Sequence, residues 1–276
     1  MTVRTQTHAP AHVLAGLYVP LITPFDAVGA VDLRTLDRIA HEVLDGGAAG
    51  LVALGTTGEP SSLTADERAR VLEVIAAVCR ERSAQLVGDG GDARLTLVPP
   101  FVRPGEDGVV AYFEAAAAVS PVPLIVYHVP LRTGQELSAA TLRRLAAVPG
   151  VPGVKYATGA LDATAVDLLA DPPAGFAILG GDDVVLPAML ALGAHGAITA
   201  SAHVATRDFA DLVAGGGRPL GLRLARLAAA LFAEPNPTVI KAVLHAQGRI
   251  ATPAVRLPLL PAAAASVEAA LRLLAR

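Results

Sequence analysis

Short apolar runs separated by longer stretches of helical periodicity recur along this chain, and that alternation is the strongest constraint on its fold. The runs fall at 17–22, 50–54, 85–88, 95–98, 123–129, 153–157, 176–179 and 196–200. Each is too short for a helix, as buried strands of a parallel sheet are. Helical spacing of apolar residues covers 33–44, 64–82, 109–119, 139–147, 164–169 and 184–192. Thr64, with Glu67 three residues on, reads as a capping box. Strands alternating with helices predict an α/β fold, and eight strands in succession predict a (β/α)8 TIM barrel. Beyond about Thr206 the pattern is all helical, broken at 234–237 and around 253–261. The expected organisation is a flexible N-terminal tail over 1–12, a barrel over 13–205 and a C-terminal helical region over 206–276.

One crossover breaks the pattern. Only the six residues Asp89 to Arg94 separate the third and fourth runs, whereas a parallel crossover usually needs a dozen or more. Six extended residues reach roughly 20 Å, enough to return along a short strand without a helix. The expectation is a barrel whose third helix is missing.

Composition removes several function classes. A net charge of −3 offers no electrostatic footprint for nucleic acid or anionic lipid. The single cysteine, Cys79, excludes an internal disulfide and a cysteine-rich metal cluster, and its apolar helical setting suits a buried thiol. No apolar run is long enough to span a membrane and no secretory signal is evident, so a soluble cytoplasmic protein is expected. The histidines show no metal-ligand spacing, and His128, His195 and His203 read as structural. Asp182 and Asp183 are adjacent, which on a strand would point them to opposite faces. No metal or cofactor is expected.

Of the 22 basic residues only Lys155 and Lys241 are lysines. A lysine kept inside an apolar strand is therefore informative, because arginine cannot do amine chemistry. Lys155 sits in Val151-Pro-Gly-Val-Lys-Tyr-Ala-Thr-Gly159, where desolvation would disfavour the ammonium and leave an amine able to attack a ketone. It could equally be a lysine paired with a carboxylate at a strand end. In Leu124-Ile-Val-Tyr-His-Val-Pro-Leu-Arg-Thr-Gly134, Tyr127 is either a phenolic proton shuttle or core filler. Arg132 is either a bidentate carboxylate ligand or a solvated loop residue. Gly55-Thr56-Thr57-Gly58-Glu59 places hydroxyls and amides at a strand-to-helix turn, suited to a small carboxylate. A generic glycine turn is the competing reading.

Together these segments resemble the dihydrodipicolinate synthase/N-acetylneuraminate lyase family of class I pyruvate-dependent aldolases, from about Val13 to Pro261. The matching stretches include the two just quoted around Tyr127 and Lys155 and the Gly55–Glu59 turn. Gly180-Gly-Asp-Asp183 and Glu234-Pro-Asn-Pro237 complete the set. The resemblance implies that Lys155 forms an imine with pyruvate while Tyr127 shuttles protons, aided by the Thr56 hydroxyl. It also implies that Thr57 holds the pyruvate carboxylate, that Arg132 receives the second substrate's carboxylate, and that Gly181 and the Ile198 backbone line the site. The implied partners are pyruvate and a small aldehyde or hydroxy-keto acid, in a homodimer or homotetramer.

The leading implied reaction is that of a 4-hydroxy-tetrahydrodipicolinate synthase, from pyruvate and aspartate semialdehyde. The alternatives are an aldolase for a 4-hydroxy-2-oxo acid or a 2-keto-3-deoxy sugar acid, and a catalytically degenerate keto-acid-binding barrel. Departures from the family pattern are specific. The family's Tyr-Tyr-Asn-Arg-Pro reads Pro100-Phe-Val-Arg-Pro104, so Phe101 stands nearest a tyrosine that relays protons across a subunit interface. His128 replaces an asparagine, Tyr156 an acid, and Ala65 and Arg68 stand where the histidines of a lysine feedback site would be.

Overall fold

The computed structural model describes residues 14–275; the expected tail over 1–12 lies outside the described residues. Eight parallel strands form one sheet: β1 Gly16–Pro20, β2 Gly50–Val52, β3 Gln85–Val87, β4 Arg94–Leu97, β5 Leu124–His128, β6 Gly153–Tyr156, β7 Ala177–Gly180 and β8 Gly196–Ile198. Their order, β3-β2-β1-β8-β7-β6-β5-β4, is that of a (β/α)8 barrel, and each strand falls within or beside an expected run.

Side-chain alternation divides the strands into two layers. Tyr18, Val52, Val87, Ala93, Ile125, Ala177, Leu179 and Ile198 pack inside the barrel. Their neighbours Leu17, Val19, Leu51, Leu86 and Ala197 face outward, into a cluster with helices α1 (Leu33–Asp45) and α2 (Ala65–Arg82). On the opposite wall Leu124, Val126, Val154, Tyr156 and Ile178 pack under α3 (Gly105–Val119), α5 (Ala139–Ala146) and α6 (Ala163–Ala170). The short α4 (Pro130–Thr133) follows β5, and α7 (Leu186–Ala191) follows β7. Thr64 caps α2 through the reciprocal bonds of a capping box with Glu67, worth about 1 kcal/mol. Asp32, Ser138 and Asp162 cap α1, α5 and α6 in the same way from one side.

The third crossover contains no helix. β3 and β4 are the two ends of the sheet, joined by a single parallel bridge, Val87 to Ala93. The chain turns at Gly88, whose amide donates to the Ala93 carbonyl at 2.8 Å, and runs back outside β3. There the Asp92 carboxylate accepts from the Leu86 amide at 2.8 Å. Gly91 is required at this point, because a Cβ would sit 2.4 Å from the Leu86 carbonyl oxygen. Cys79, on α2 behind β3, is buried, and burial pushes its thiol up to about 11.

After β8, α8 (Thr206–Val213), α9 (Arg218–Leu231), α10 (Thr238–Ala246) and α11 (Ala264–Leu274) complete the chain. Leu224, Leu227, Leu231, Val239, Ile240 and Val243 belong to the cluster that covers β1 and β2. The helical region thus shares a core with the barrel.

His203 ties the barrel mouth together. Its Nε2 accepts from the Ile22 amide at 3.2 Å, and its Nδ1 faces the Ala200 carbonyl at 2.9 Å. Both bonds require a neutral imidazole that carries its proton on Nδ1. Burial holds His203 down at about 4, as it does His128. Because these folded-state values lie below that of a free histidine, the unfolded chain takes up the protons first. Stability is therefore complete above pH ~6.5 and falls as the pH drops towards 4, by roughly 3 kcal/mol for each imidazole. Denaturant midpoints measured between pH 7 and 4 should show this loss, and His203→Gln, which keeps a donor and an acceptor but cannot titrate, should remove about half of it.

Candidate functional site

Parallel register brings the two central side chains together. Tyr127 on β5 is the ladder partner of Lys155 on β6, so both point to the same, inner, face. The Lys155 ammonium nitrogen lies 4.4 Å from the centroid of the Tyr127 ring. Lys155 is 8% exposed, and no carboxylate forms an ion pair with it among the described residues. The strand-end ion pair that its sequence position allowed is not formed.

The two side chains open into a cavity of about 390 Å³ at the C-terminal ends of the strands. The sequence-nominated Thr56, Thr57, Arg132, Gly181 and Ile198 also line it, so the fold brings all seven to one place. Thr57 is buried, whereas Thr56 and Arg132 are exposed at the rim. Gly181 has a steric role: a Cβ there would fall 2.6 Å from Lys155 Cγ and 2.9 Å from Cε. Only glycine leaves the lysine its present path.

The turn that carries the threonines is locally strained. Leu54 and Glu59, on either side of Gly55–Gly58, take left-handed φ values of 52° and 53°, which costs a non-glycine residue roughly 1 kcal/mol or more. What holds the turn is a buried ion pair. Glu59 Oε1 accepts from Lys241 Nζ at 2.8 Å, and its Oε2 accepts from the Arg256 amide at 2.9 Å. Lys241 also donates to the Thr23 carbonyl at 2.9 Å and lies over the Phe25 ring at 4.0 Å. Burial lowers the Lys241 pKa to about 8, against the opposing pull of Glu59. The two lysines therefore do different work: one points into the cavity, the other supports it from beneath.

Three contributors escaped the sequence analysis. Asn236, beside the cis peptide to Pro237, donates through Nδ2 to Thr57 Oγ1 at 2.9 Å. The Thr57 hydroxyl proton is then free to point into the cavity. Asp183, fully buried, lines the same cavity and accepts from the Ser201 amide at 2.6 Å. Burial raises its pKa. Lys241 is the third; its scarcity as a lysine was visible, but its partner is 182 residues away in sequence. Phe101, by contrast, does not line this cavity and is 91% exposed. His128 and Tyr156 point outward, stacked edge to face at 5.3 Å, with the Tyr156 hydroxyl donating to Asp162 at 2.7 Å. His195 accepts from the Ile178 amide at 3.1 Å.

Breaking the buried pair from one side leaves an uncompensated charge. Glu59→Gln and Lys241→Met should each cost about 3–5 kcal/mol, and the double variant distinctly less than their sum. Denaturant titrations of the three variants measure this; strictly additive losses would mean the two groups are not coupled.

The dihydrodipicolinate synthetase family model matches residues 13–91 and 77–275. The match divides where the third crossover is shortened. The chain is 35% identical to the 4-hydroxy-tetrahydrodipicolinate synthase of Leptothrix cholodnii, across 94% of this chain and 97% of that protein. The same-named protein of Moorella thermoacetica is 35% identical over 88% of this chain and 91% of its own. Among solved structures, the dihydrodipicolinate synthase of Thermotoga maritima superposes with a TM-score of 0.89 at 26% identity, covering 96% of this chain and 98% of that one. The Acinetobacter baumannii enzyme, solved with pyruvate, gives 0.87 at 31% identity, covering 95% and 98%. This chain belongs to the dihydrodipicolinate synthetase family, the Schiff-base lyases built on a (β/α)8 barrel.

Proposed function

We propose that this protein condenses pyruvate with an aldehyde through an imine on Lys155, in the manner of the 4-hydroxy-tetrahydrodipicolinate synthases it resembles. The observation that carries the reading is the Lys155–Tyr127 pair: an amine free of any carboxylate ion pair, 4.4 Å from a phenol ring, inside a cavity of about 390 Å³. That volume falls within the roughly 300–1,000 Å³ that encloses small ligands.

The chemistry follows from the positions. The Lys155 amine attacks the pyruvate ketone, and the carbinolamine loses water to give a protonated imine. The imine nitrogen then withdraws electrons, so a methyl proton can leave and an enamine forms. The enamine carbon bonds to the aldehyde carbon while the aldehyde oxygen takes a proton. Water finally hydrolyses the imine and returns the free amine. Tyr127 is the group placed to carry protons to and from these atoms, with the Thr56 hydroxyl at the rim as its relay. Thr57, its oxygen already occupied by Asn236, donates to the pyruvate carboxylate. Gly181 and Ile198 shape the wall against which the imine lies, and Arg132 receives the carboxylate of the incoming aldehyde. Aspartate semialdehyde is the aldehyde that the family resemblance implies.

The assembly is a homodimer or homotetramer on this reading. Phe101 and Val102, 91% and 71% exposed, form an apolar projection at the end of β4 that a second copy would cover. No helix among the described residues is long and apolar enough to cross a membrane. The one cysteine is buried and unpaired, which suits a reducing cytoplasm.

Borohydride reduction in the presence of pyruvate, followed by peptide mass mapping, should leave a pyruvyl adduct on Lys155 and none in Lys155→Arg. A folded wild-type sample with no adduct would overturn the imine mechanism. Gly181→Ala should keep the fold yet displace the lysine. A misplacement near 1 Å costs on the order of a hundredfold in rate, so kcat should fall far more than the melting temperature.

A further inference from the structure

The cavity around Lys155 does not end at Arg132. A second cavity of about 510 Å³ adjoins it, with Val52, Gly55, Thr56, Tyr127, Arg132 and Asn236 bordering both. Since the first already has the volume to enclose a small ligand, the second is room beyond what pyruvate and a four-carbon aldehyde need.

Its origin is the shortened crossover. The Arg94 amide donates to the Pro123 carbonyl at 2.8 Å and the Val98 amide to that of Tyr127 at 3.3 Å. Alternate residues of β4 thus pair with β5, and Leu95 and Leu97 turn their amides the other way. β3 has already ended at Val87, opposite Ala93, so no strand meets them. The barrel wall is open above that bridge, and Leu95 and Leu97 border the opening together with Val87, Gly88, Asp89 and Arg94.

The polar groups around this space are unequally committed. Arg256 is held by Glu67, by the Ser62 carbonyl at 3.0 Å and by the Gly29 carbonyl at 2.8 Å. Glu59 is held by Lys241 and the Arg256 amide. Arg132 has no carboxylate partner among the described residues. Arg94 has only Asp89, at 3.8 Å, with side chains 40% and 73% exposed, a geometry worth little and readily exchanged. Leu54, Leu95, Leu97, Pro235, Pro258 and Leu259 supply the apolar part of the lining.

Resting on the imine reading above, we propose that the opening between β3 and β4 is a subsite for the far end of the aldehyde substrate, with Arg94 as the ligand of a terminal carboxylate. The acceptor class that this subsite adds to the four-carbon aldehyde is a longer one whose alkyl chain ends in an acid. The bonds made and broken are those already given: the enamine carbon joins the aldehyde carbon, the aldehyde oxygen is protonated, and hydrolysis releases a 4-hydroxy-2-oxo diacid. Arg94 takes no part in those steps. It acts as a specificity-determining residue.

The test compares succinate, glutarate and adipate semialdehydes as partners of pyruvate, with borohydride trapping run alongside. Wild type should show kcat/KM for adipate semialdehyde at least equal to that for succinate semialdehyde. Arg94→Ala should lower the value for the longer acid roughly tenfold more than for the shorter, through KM, as loss of one charge-assisted contact does. Asp89→Asn should favour the longer acid by releasing Arg94. A steady fall in kcat/KM with chain length in wild type, or an equal effect of Arg94→Ala on all three aldehydes, overturns the subsite while the pyruvyl adduct on Lys155 stands. Absence of that adduct removes the imine reading itself. A readout without turnover separates the two: adipate should raise the melting temperature of wild type and not of Arg94→Ala, and no rise in wild type overturns the subsite.

Discussion

Everything in this protein hangs on the two-residue period of a parallel strand in a barrel wall. The period sends Tyr127 and Lys155 inward and His128 and Tyr156 outward from the same two strands. Ladder pairing then brings the inward side chains of neighbouring strands to one level, so a phenol and an amine meet without any loop having to position them. A slip of one residue in β6 would bury the lysine under the helices, and one in β5 would turn the tyrosine out. The apolar layers on both faces make such a slip prohibitive, since each strand would exchange its core side chains for the wrong set.

The C-terminal helices extend this logic from strands to the turn that carries Thr56 and Thr57. Strand pairing cannot hold the turn after β2, because the chain has already left the sheet and takes left-handed conformations on both sides of the threonines. Lys241 from α10 supplies the missing restraint through Glu59, and Asn236, just ahead of that helix, fixes the Thr57 hydroxyl. Barrel and helical region are thus one working unit, although the sequence pattern changes character between them.

These two levels differ in how far they could be read from sequence. The eight strands were legible because apolar runs and their length report burial directly. Lys155 was legible because lysine is so scarce that its presence in an apolar strand needed a reason. The missing helix could be read from chain length alone, since six residues cannot hold one and still return. Lys241 and Asn236 were not legible. Their partners lie 182 and 179 residues away, and neither periodicity nor local spacing carries information over that distance. Asp183 was seen only as one of two adjacent acids. It settles on the Ser201 amide because β7 ends at Gly180, so the alternation expected of a strand no longer governs where it points.

The lost helix shows why a deletion in a barrel need not be silent at its active end. A crossover helix normally does two things: it covers the outer face of its strands, and its length lets the next strand start level with the last. Here the loop behind β3 does part of the first task, with Gly91 packed on the Leu86 backbone and Asp92 bonded to its amide. The second task fails. With so short a return, β4 begins beside the end of β3 instead of beside its start, and only Val87 and Ala93 overlap. The upper half of β4 is therefore paired with β5 alone and has no strand on its β3 side, towards the mouth of the barrel. Tyr127, Arg132 and Arg94 all border the resulting space. On the subsite reading, the short crossover behind the sheet is what leaves space in front of it, beside the residues assigned to the second substrate.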